Sequence, residues 1–369
     1  MGLFDVIQDW RERRQTLKEL RSIKREAAPY EVFEKKRLLE LMEEAAIREQ
    51  PELAVQTWQQ LATLDRDLAI TSDRAISTLI GFGLYDMAEE AITAAMQRFP
   101  HSCQSAEHHA IVAKYRGDLE LAAERWAYVR AHFPETLRGY IDGGDCLKWL
   151  GRTDEADALL AKAVARAPED YLAAAHYAGV AEHKKDWPAA LERWAYVREH
   201  FGNATGWIQS AACLREMGRD PDAEQLLFKA DGLFAGNPAI LTELAWIARR
   251  RKDWPEALLR WHRVREAFPR AIMGYLGAAG TYQDMGKPDQ ADAILESGVK
   301  RSADEPDPDL LVEYARFAHG QGQWEVAIRR WARLRELFPQ RPEGYDGGVA
   351  ALRAVGREEE ASHVLASRA

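Results

Sequence analysis

The side chains of this sequence that could do chemistry are few and poorly assembled. His108 and His109 are adjacent, but neighbouring helix residues point about 100° apart and no His or Cys at i, i+4 completes a metal set. The thiols Cys103, Cys146 and Cys213 form no C-x-x-C pair and no even-numbered disulfide set. Cys103 heads a helix, where a thiol can be activated, yet no base stands near it. Gly280 to Gly286-Lys287 has one residue too many for a P-loop, and Pro288 stands where Ser or Thr would hold magnesium. The acidic stretch from Asp304 to Asp309 lacks the Gly and terminal Glu of an EF-hand calcium loop. Gly143-Gly144 falls inside a helix, where small side chains permit close packing, and not in a phosphate-cradling loop. No catalytic, cofactor-binding or metal-binding residue is therefore assigned, and the chain reads as a non-enzyme.

The elements that hold these residues follow from the composition. The chain has 369 residues, 12 of them Trp, is 47% apolar and carries a net charge of −9, which excludes collagen, bulk disorder and a disulfide scaffold. Apolar β-branched runs of the kind a parallel sheet needs are nearly absent. No apolar run is long enough to span a bilayer, and Asp5 sits where a secretory signal needs an apolar core. The Met-Gly start lacks the Ser or Thr of a myristoylation signal, having Val6 instead. An acidic balance argues against bulk nucleic-acid binding. The expectation is a cytoplasmic protein in a reducing compartment.

The Trp residues are periodic. Trp58, Trp126, Trp194, Trp261 and Trp331 recur at steps of 68, 68, 67 and 70 residues. An Ala series halves that unit, at 54, 88, 122, 156, 190, 223, 257, 291, 327 and 361, with steps of 33 to 36. Ten units of about 34 residues, or five double units of 68, thus cover residues 35–369. With the Ala at position 20, the units start at residues 35, 69, 103, 137, 171, 204, 238, 272, 308 and 342. Each predicts two helices. Positions 4, 8 and 11 form the apolar stripe of the first, and Gly recurs at position 15, where a left-handed cap ends it. Positions 20, 24 and 27 form the stripe of the second, with Trp alternating with Ile or Leu at 24. Pro often closes the unit at position 32, as at Pro100, Pro134, Pro168, Pro269 and Pro339. Trp187, Trp254 and Trp324 share position 17 and are expected in the core.

An aromatic at 4, a small residue at 8, Gly at 15, Ala at 20, a bulky residue at 24 and Pro at 32 together resemble the tetratricopeptide repeat. The resemblance implies an all-α, right-handed superhelix of about ten helix hairpins. It further implies that the first helices line a concave groove for extended or helical segments of partner proteins. Residues 1–34 lie outside the register. Leu3, Val6, Trp10, Leu17 and Leu20 give them the pattern of an amphipathic helix, readable as a cap on the first hairpin, a partner helix, or a peripheral membrane anchor through residues 1–28.

If the first helices line a groove, positions 2, 5, 9, 12 and 13 read the partner. Position 12 carries Lys114, Lys148, Arg215, Arg249 and Arg353, and beside them lie Tyr115, Trp149, Trp246 and Arg250. This is a basic track interleaved with aromatics, suited to an acidic protein segment. The Asn ladder that sugar-transferring relatives carry at position 6 is absent, and so is the Lys/Asn clamp of chaperone adaptors. The leading expectation is a protein–protein interaction scaffold or adaptor. The alternatives are an accessory subunit acting in trans for a glycosyltransferase or membrane-associated assembly, and an RNA-binding helical repeat, against which the acidic balance argues.

Overall fold

The computed structural model describes residues 31–368, and among these every regular element is a helix. The expectation for residues 1–34 falls almost wholly outside that range. The chain divides into two compact units, one ending at Asp186 and one starting at Trp187, so the boundary falls between the two helices of the fifth repeat. Each unit is a run of stacked hairpins in the register the sequence predicts. In the third repeat the pair is Cys103–Arg116 and Leu119–His132, in the fourth Arg138–Trp149 and Thr153–Arg166, in the seventh Pro238–Arg250 and Trp254–Ala267.

Packing explains the register. All ten Ala residues at position 20 are fully buried, which lets the two helices of a hairpin approach to the shortest packing distance. Position 8 is buried in every repeat, from Met42 to Val349, with Gly144 filling the slot in the fourth. At position 24, Trp126, Trp194, Trp261 and Trp331 are buried, while Trp58 is only half-buried. Position 15 has positive φ in all ten repeats. Seven use Gly, and Glu49, Lys185 and Lys252 adopt φ of 53°, 59° and 60°. The backbone there is dictated by the turn, and three repeats accept the strain of a side chain.

Two expectations need correction. Trp187, Trp254 and Trp324 at position 17 are half-buried and open second helices instead of filling the core. The first helix of the second repeat is broken into Arg66–Thr71 and Asp73–Gly81 because two N-caps compete for it. Asp65 Oδ1 accepts from the Leu68 amide at 3.0 Å, and Ser72 Oγ from the Ala75 amide at 3.3 Å. Position 23 and position 28 hold Arg residues that the hydrophobic register passes over. Arg125, Arg260 and Arg330 at position 23 donate to the position 7 carbonyls of His109, Leu244 and Tyr314 at 2.7, 2.7 and 2.9 Å. They also meet Glu89, Glu224 and Asp292 at position 21 of the preceding repeat. Arg130, Arg265 and Arg335 at position 28 reach the other way, to the carbonyls of Gly139, Gly274 and Gly344 in the next repeat. In the third, seventh and ninth repeats the Trp-bearing second helix is thus latched to both neighbours.

Within each unit, first helices of successive repeats touch one another as well as their own second helices, whereas second helices do not pair in this way. In each unit the first helices therefore form a continuous wall.

Candidate functional site

The wall inherits its chemistry from positions 5, 6, 9, 12 and 13. In the first unit Lys114 Nζ donates to Asp145 Oδ2 at 2.9 Å and Lys148 Nζ donates to Oδ1 at 2.7 Å. His176 Nδ1 stands 3.6 Å from the same carboxylate. Burial opposes ionisation of Asp145, but the nearby His176 imidazole and the hydrogen bonds from Lys148 and Lys114 hold its carboxyl well below the usual carboxylate range. Burial likewise works against the Lys114 ammonium, and Asp145 more than compensates, raising its pKa. One helical turn away, the Arg138 guanidinium lies 3.3 Å from both Glu107 and Asp142, and His108 is 2.8 Å from Asp73. Asp73, Ser77, His108, Lys114, Tyr115 and Asp142 are among the residues lining a cleft of about 410 Å³ over this stretch. Tyr115 and Trp149 stand at the ends of their helices, 62% and 60% exposed, with Lys148 Nζ 4.9 Å above the Trp149 ring.

In the second unit the position 12 arginines are also paired, with acids at other positions of the next repeat. Arg215 meets Glu243 at 2.9 Å, and burial raises the Glu243 pKa even though Arg215 pulls it down. Arg249 donates from Nε to Asp284 at 2.6 Å and stacks 4.9 Å above Trp246. A β-carbon at Gly280 would lie 2.6 Å from the Arg249 guanidinium, so the missing side chain makes room for it. Trp246 is half-buried and stands edge-on to Trp261, with centroids 5.5 Å apart. Arg250 is 3.7 Å from Asp220, and Arg353 lies 3.3 Å from Glu358.

The structure therefore brings Lys114, Tyr115, Lys148 and Trp149 together in one unit. Arg215, Trp246, Arg249 and Arg250 stand on consecutive repeats of the other, and Arg353 stands apart in the tenth. The acids that close the basic residues were missed as partners by the sequence reading. Asp145 is three residues from Lys148, but Asp145, Glu243 and Asp284 lie 28 to 35 residues from the cations of the preceding repeat that they meet, Lys114, Arg215 and Arg249. The one signal for them is that spacing, close to a repeat length, which brings charge on one first helix beside the next.

The residues set aside as chemically idle are placed accordingly. Burial and the neighbouring Glu107 push the Cys103 thiol up, opposite to what a nucleophile needs. Cys146 is buried and pushed up to about 11. His109 is half-buried against Glu89 at 3.1 Å, and burial pushes its pKa down. Among the described residues, no three potential metal ligands lie together, and no helix is long and apolar enough to cross a membrane.

No family model and no curated protein matches the sequence. Solved structures do. The chain is similar to a tetratricopeptide repeat protein from Parabacteroides merdae at 17% identity, over 68% of this chain and 98% of that one, with a TM-score of 0.46. It is similar to yeast Tom70 at 13% identity, over 93% and 85%, with a TM-score of 0.43. It is also similar to the Cut9–Hcn1 hetero-tetramer of the APC/C at 14% identity and a TM-score of 0.41, covering 81% of this chain and 59% of that one. The chain thus spans about three fifths of that last structure's length. The assignment of fold rests on the hairpins themselves: ten buried Ala at position 20, ten left-handed residues at position 15 and a bulky side chain at position 24 make the described residues an all-α array of helix hairpins in a register of about 34 residues.

Proposed function

We propose that the protein is a non-catalytic scaffold that holds a segment of a partner protein along the first-helix wall of its first unit, with acidic groups of the segment set against Lys114 and Lys148. The observation that carries this is the exposure of Tyr115 and Trp149 beside Lys114 and Lys148. Large aromatic side chains at more than half exposure contribute nothing to the core, and they are the residue types that anchor interfaces. The lysines keep capacity for a partner, since each ammonium has three donors and the pair shares one carboxylate.

The internal pairing also decides how the reading is tested. Reversing Lys148 or Arg215 to Glu would place two carboxylates together inside the wall and disturb the fold. Tyr115→Ala/Trp149→Ala removes exposed rings only. In a pull-down from the native host, the double variant is expected to lose its partners while keeping the helicity and melting temperature of the wild type. An unchanged set of partners would sink the proposal.

A further inference from the structure

The wall of the first unit changes the sign of its charge along its length. The first helices of the first two repeats, residues 31–49 and 66–82, hold eight acidic and six basic side chains, whereas those of the third and fourth, Cys103–Arg116 and Arg138–Trp149, hold three acidic and four basic. The acidic stretch carries a cleft of about 760 Å³, with Glu43, Ala46, Glu49, Pro51, Arg74 and Phe82 in its lining. Ala46 is exposed, and Ile47, its neighbour in the chain, is 77% exposed.

The ion pairs around the cleft leave carboxylates over. Arg74 lies 3.3 Å from Glu43, and Arg48, next to Glu49 in the chain, turns to Glu44 at 2.7 Å. Glu49 has no cationic partner among the described residues. Asp73, beside Arg74, keeps its side chain 70% exposed and meets only His108 among them, at 2.8 Å. Carboxylates at the mouth of a cleft with apolar sides suit basic side chains, whose stems pack on apolar surface while their heads stay with the acids.

That chemistry is concentrated in the same chain. Residues 11–25, which precede the described range, hold seven basic and two acidic side chains, with Leu17, Leu20 and Ile23 at three-residue steps among them. Glu43 and Glu49 stand 12 and 18 residues along the helix from Glu31, about 18–27 Å at 1.5 Å per residue. Lys18 precedes Glu31 by 13 residues, a span of about 20 Å as a helix and at most about 45 Å extended. A chain that doubles back along the first helix therefore brings Lys18 to the cleft. Tethering also presents the segment at an effective concentration on the order of millimolar, which favours it over a free basic peptide.

We propose that the cleft between the first helices of the first two repeats is the docking site of this chain's own residues 11–25, their arginines and lysines set against Glu43, Glu49 and Asp73 and their leucines against Ala46 and Phe82. The proposal is independent of the partner segment at Lys114 and Lys148, which belongs to the basic stretch of the wall.

The test is carbodiimide cross-linking of the full chain, which joins lysine ammonium groups to nearby carboxylates, read by mass spectrometry on an equal mixture of heavy-isotope-labelled and unlabelled protein. Lys18 and Lys24 are expected to link to Glu43, Glu49 or Asp73 within single chains, and the link between Lys35 and Asp65, 2.8 Å apart, serves as the control for the fold. Arg13→Glu/Arg14→Glu/Arg21→Glu keeps both lysines, and Ala46→Arg fills the cleft from an exposed position. Each is expected to lower the Lys18 and Lys24 links at least tenfold and leave the control link unchanged. Links that survive both variants, or that run to acids of the second unit as often as to these three, overturn the inference. Links between labelled and unlabelled chains overturn it too, since the occupant is then a second copy. Absence of the links overturns it as well; sedimentation of the chain with phosphatidylserine vesicles, lost in the triple variant, would then assign residues 11–25 to a membrane surface.

Discussion

At the residue scale, the wall is governed by groups that neutralise one another, and Asp145 is the node where this is most concentrated. It is 8% exposed and receives Lys114, Lys148 and His176 from three consecutive repeats. Removing its charge leaves two ammonium groups with their donors unpaired. Asp145→Asn is therefore expected to cost about 1.5–3 kcal/mol, the range for hydrogen bonds to charged groups, read from the midpoint of urea unfolding. The pH dependence has a definite sign. The folded carboxyl titrates below its unfolded value near 3.8, so its contribution is complete above that value and is lost as the pH falls below it. Stability of the Asn variant is expected to decline less steeply than that of the wild type below about pH 4, with parallel curves between pH 6 and 8. Curves that stay parallel down to pH 2 would show that the node contributes no charge-dependent stability. The sequence showed the cations of this node, because a column of Lys and Arg in a repeat register stands out. It did not show the acid that closes them, because Asp145 sits at position 9, where the other repeats hold unrelated residues.

At the element scale, glycines inside helices separate packing from propensity. Gly277 in the first helix of the eighth repeat lies against the Trp261 ring, and a β-carbon there would collide with three of its atoms. Gly143 and Gly348 stand in the same way against the guanidinium groups of Arg130 and Arg335. Gly179, in the first helix of the fifth repeat, has nothing within 4 Å of where a β-carbon would be. Ala is the better helix former by about 1 kcal/mol. Gly179→Ala is therefore expected to stabilise by about 0.5–1 kcal/mol. Gly277→Ala meets overpacking of about 1–3 kcal/mol, which outweighs the gain. Opposite shifts in the thermal midpoint check this; two shifts of the same sign would mean that the Trp slots yield. These slots were half legible. The Gly143-Gly144 pair reads from sequence as a close-packing site, since it falls on a helix face. Leu160, which presses on Gly144, stands at position 24 of the register, but Arg130, which presses on Gly143, is not legible, because the Arg latches at positions 23 and 28 look like ordinary solvated helix residues. Only its contacts with the Leu244 carbonyl of its own first helix and with Glu224 of the preceding repeat show Arg260, 7% exposed, to be a structural part.

At the scale of the whole molecule, the net charge of −9 conceals a surface on which most wall cations already have a partner. The fold class was legible because the same positions recur in ten repeats, and recurrence averages away the accidents of any one helix. Those accidents, such as the competing caps at Asp65 and Ser72, were not legible for the same reason. Recurrence also has an energetic consequence. The substantial helix contacts run within a repeat or to the next one, so stability is close to a sum of hairpin terms and nearest-neighbour terms. A lesion at one interface should then be felt locally. Gly277→Ala loosens the seam between the seventh and eighth repeats, where Trp261 packs. With a net cost of about 1–2 kcal/mol, amides of helices Trp254–Ala267 and Ile272–Asp284 are expected to exchange roughly 5- to 30-fold faster. The effect should fade along the second unit and be small at Pro342–Ala354, two repeats beyond. Hydrogen exchange read by mass spectrometry resolves these peptides separately. Equal acceleration from the sixth repeat to the tenth would show instead that the unit opens as one cooperative block, in which case the latches at positions 23 and 28, and not the hydrophobic seams, set its cooperativity.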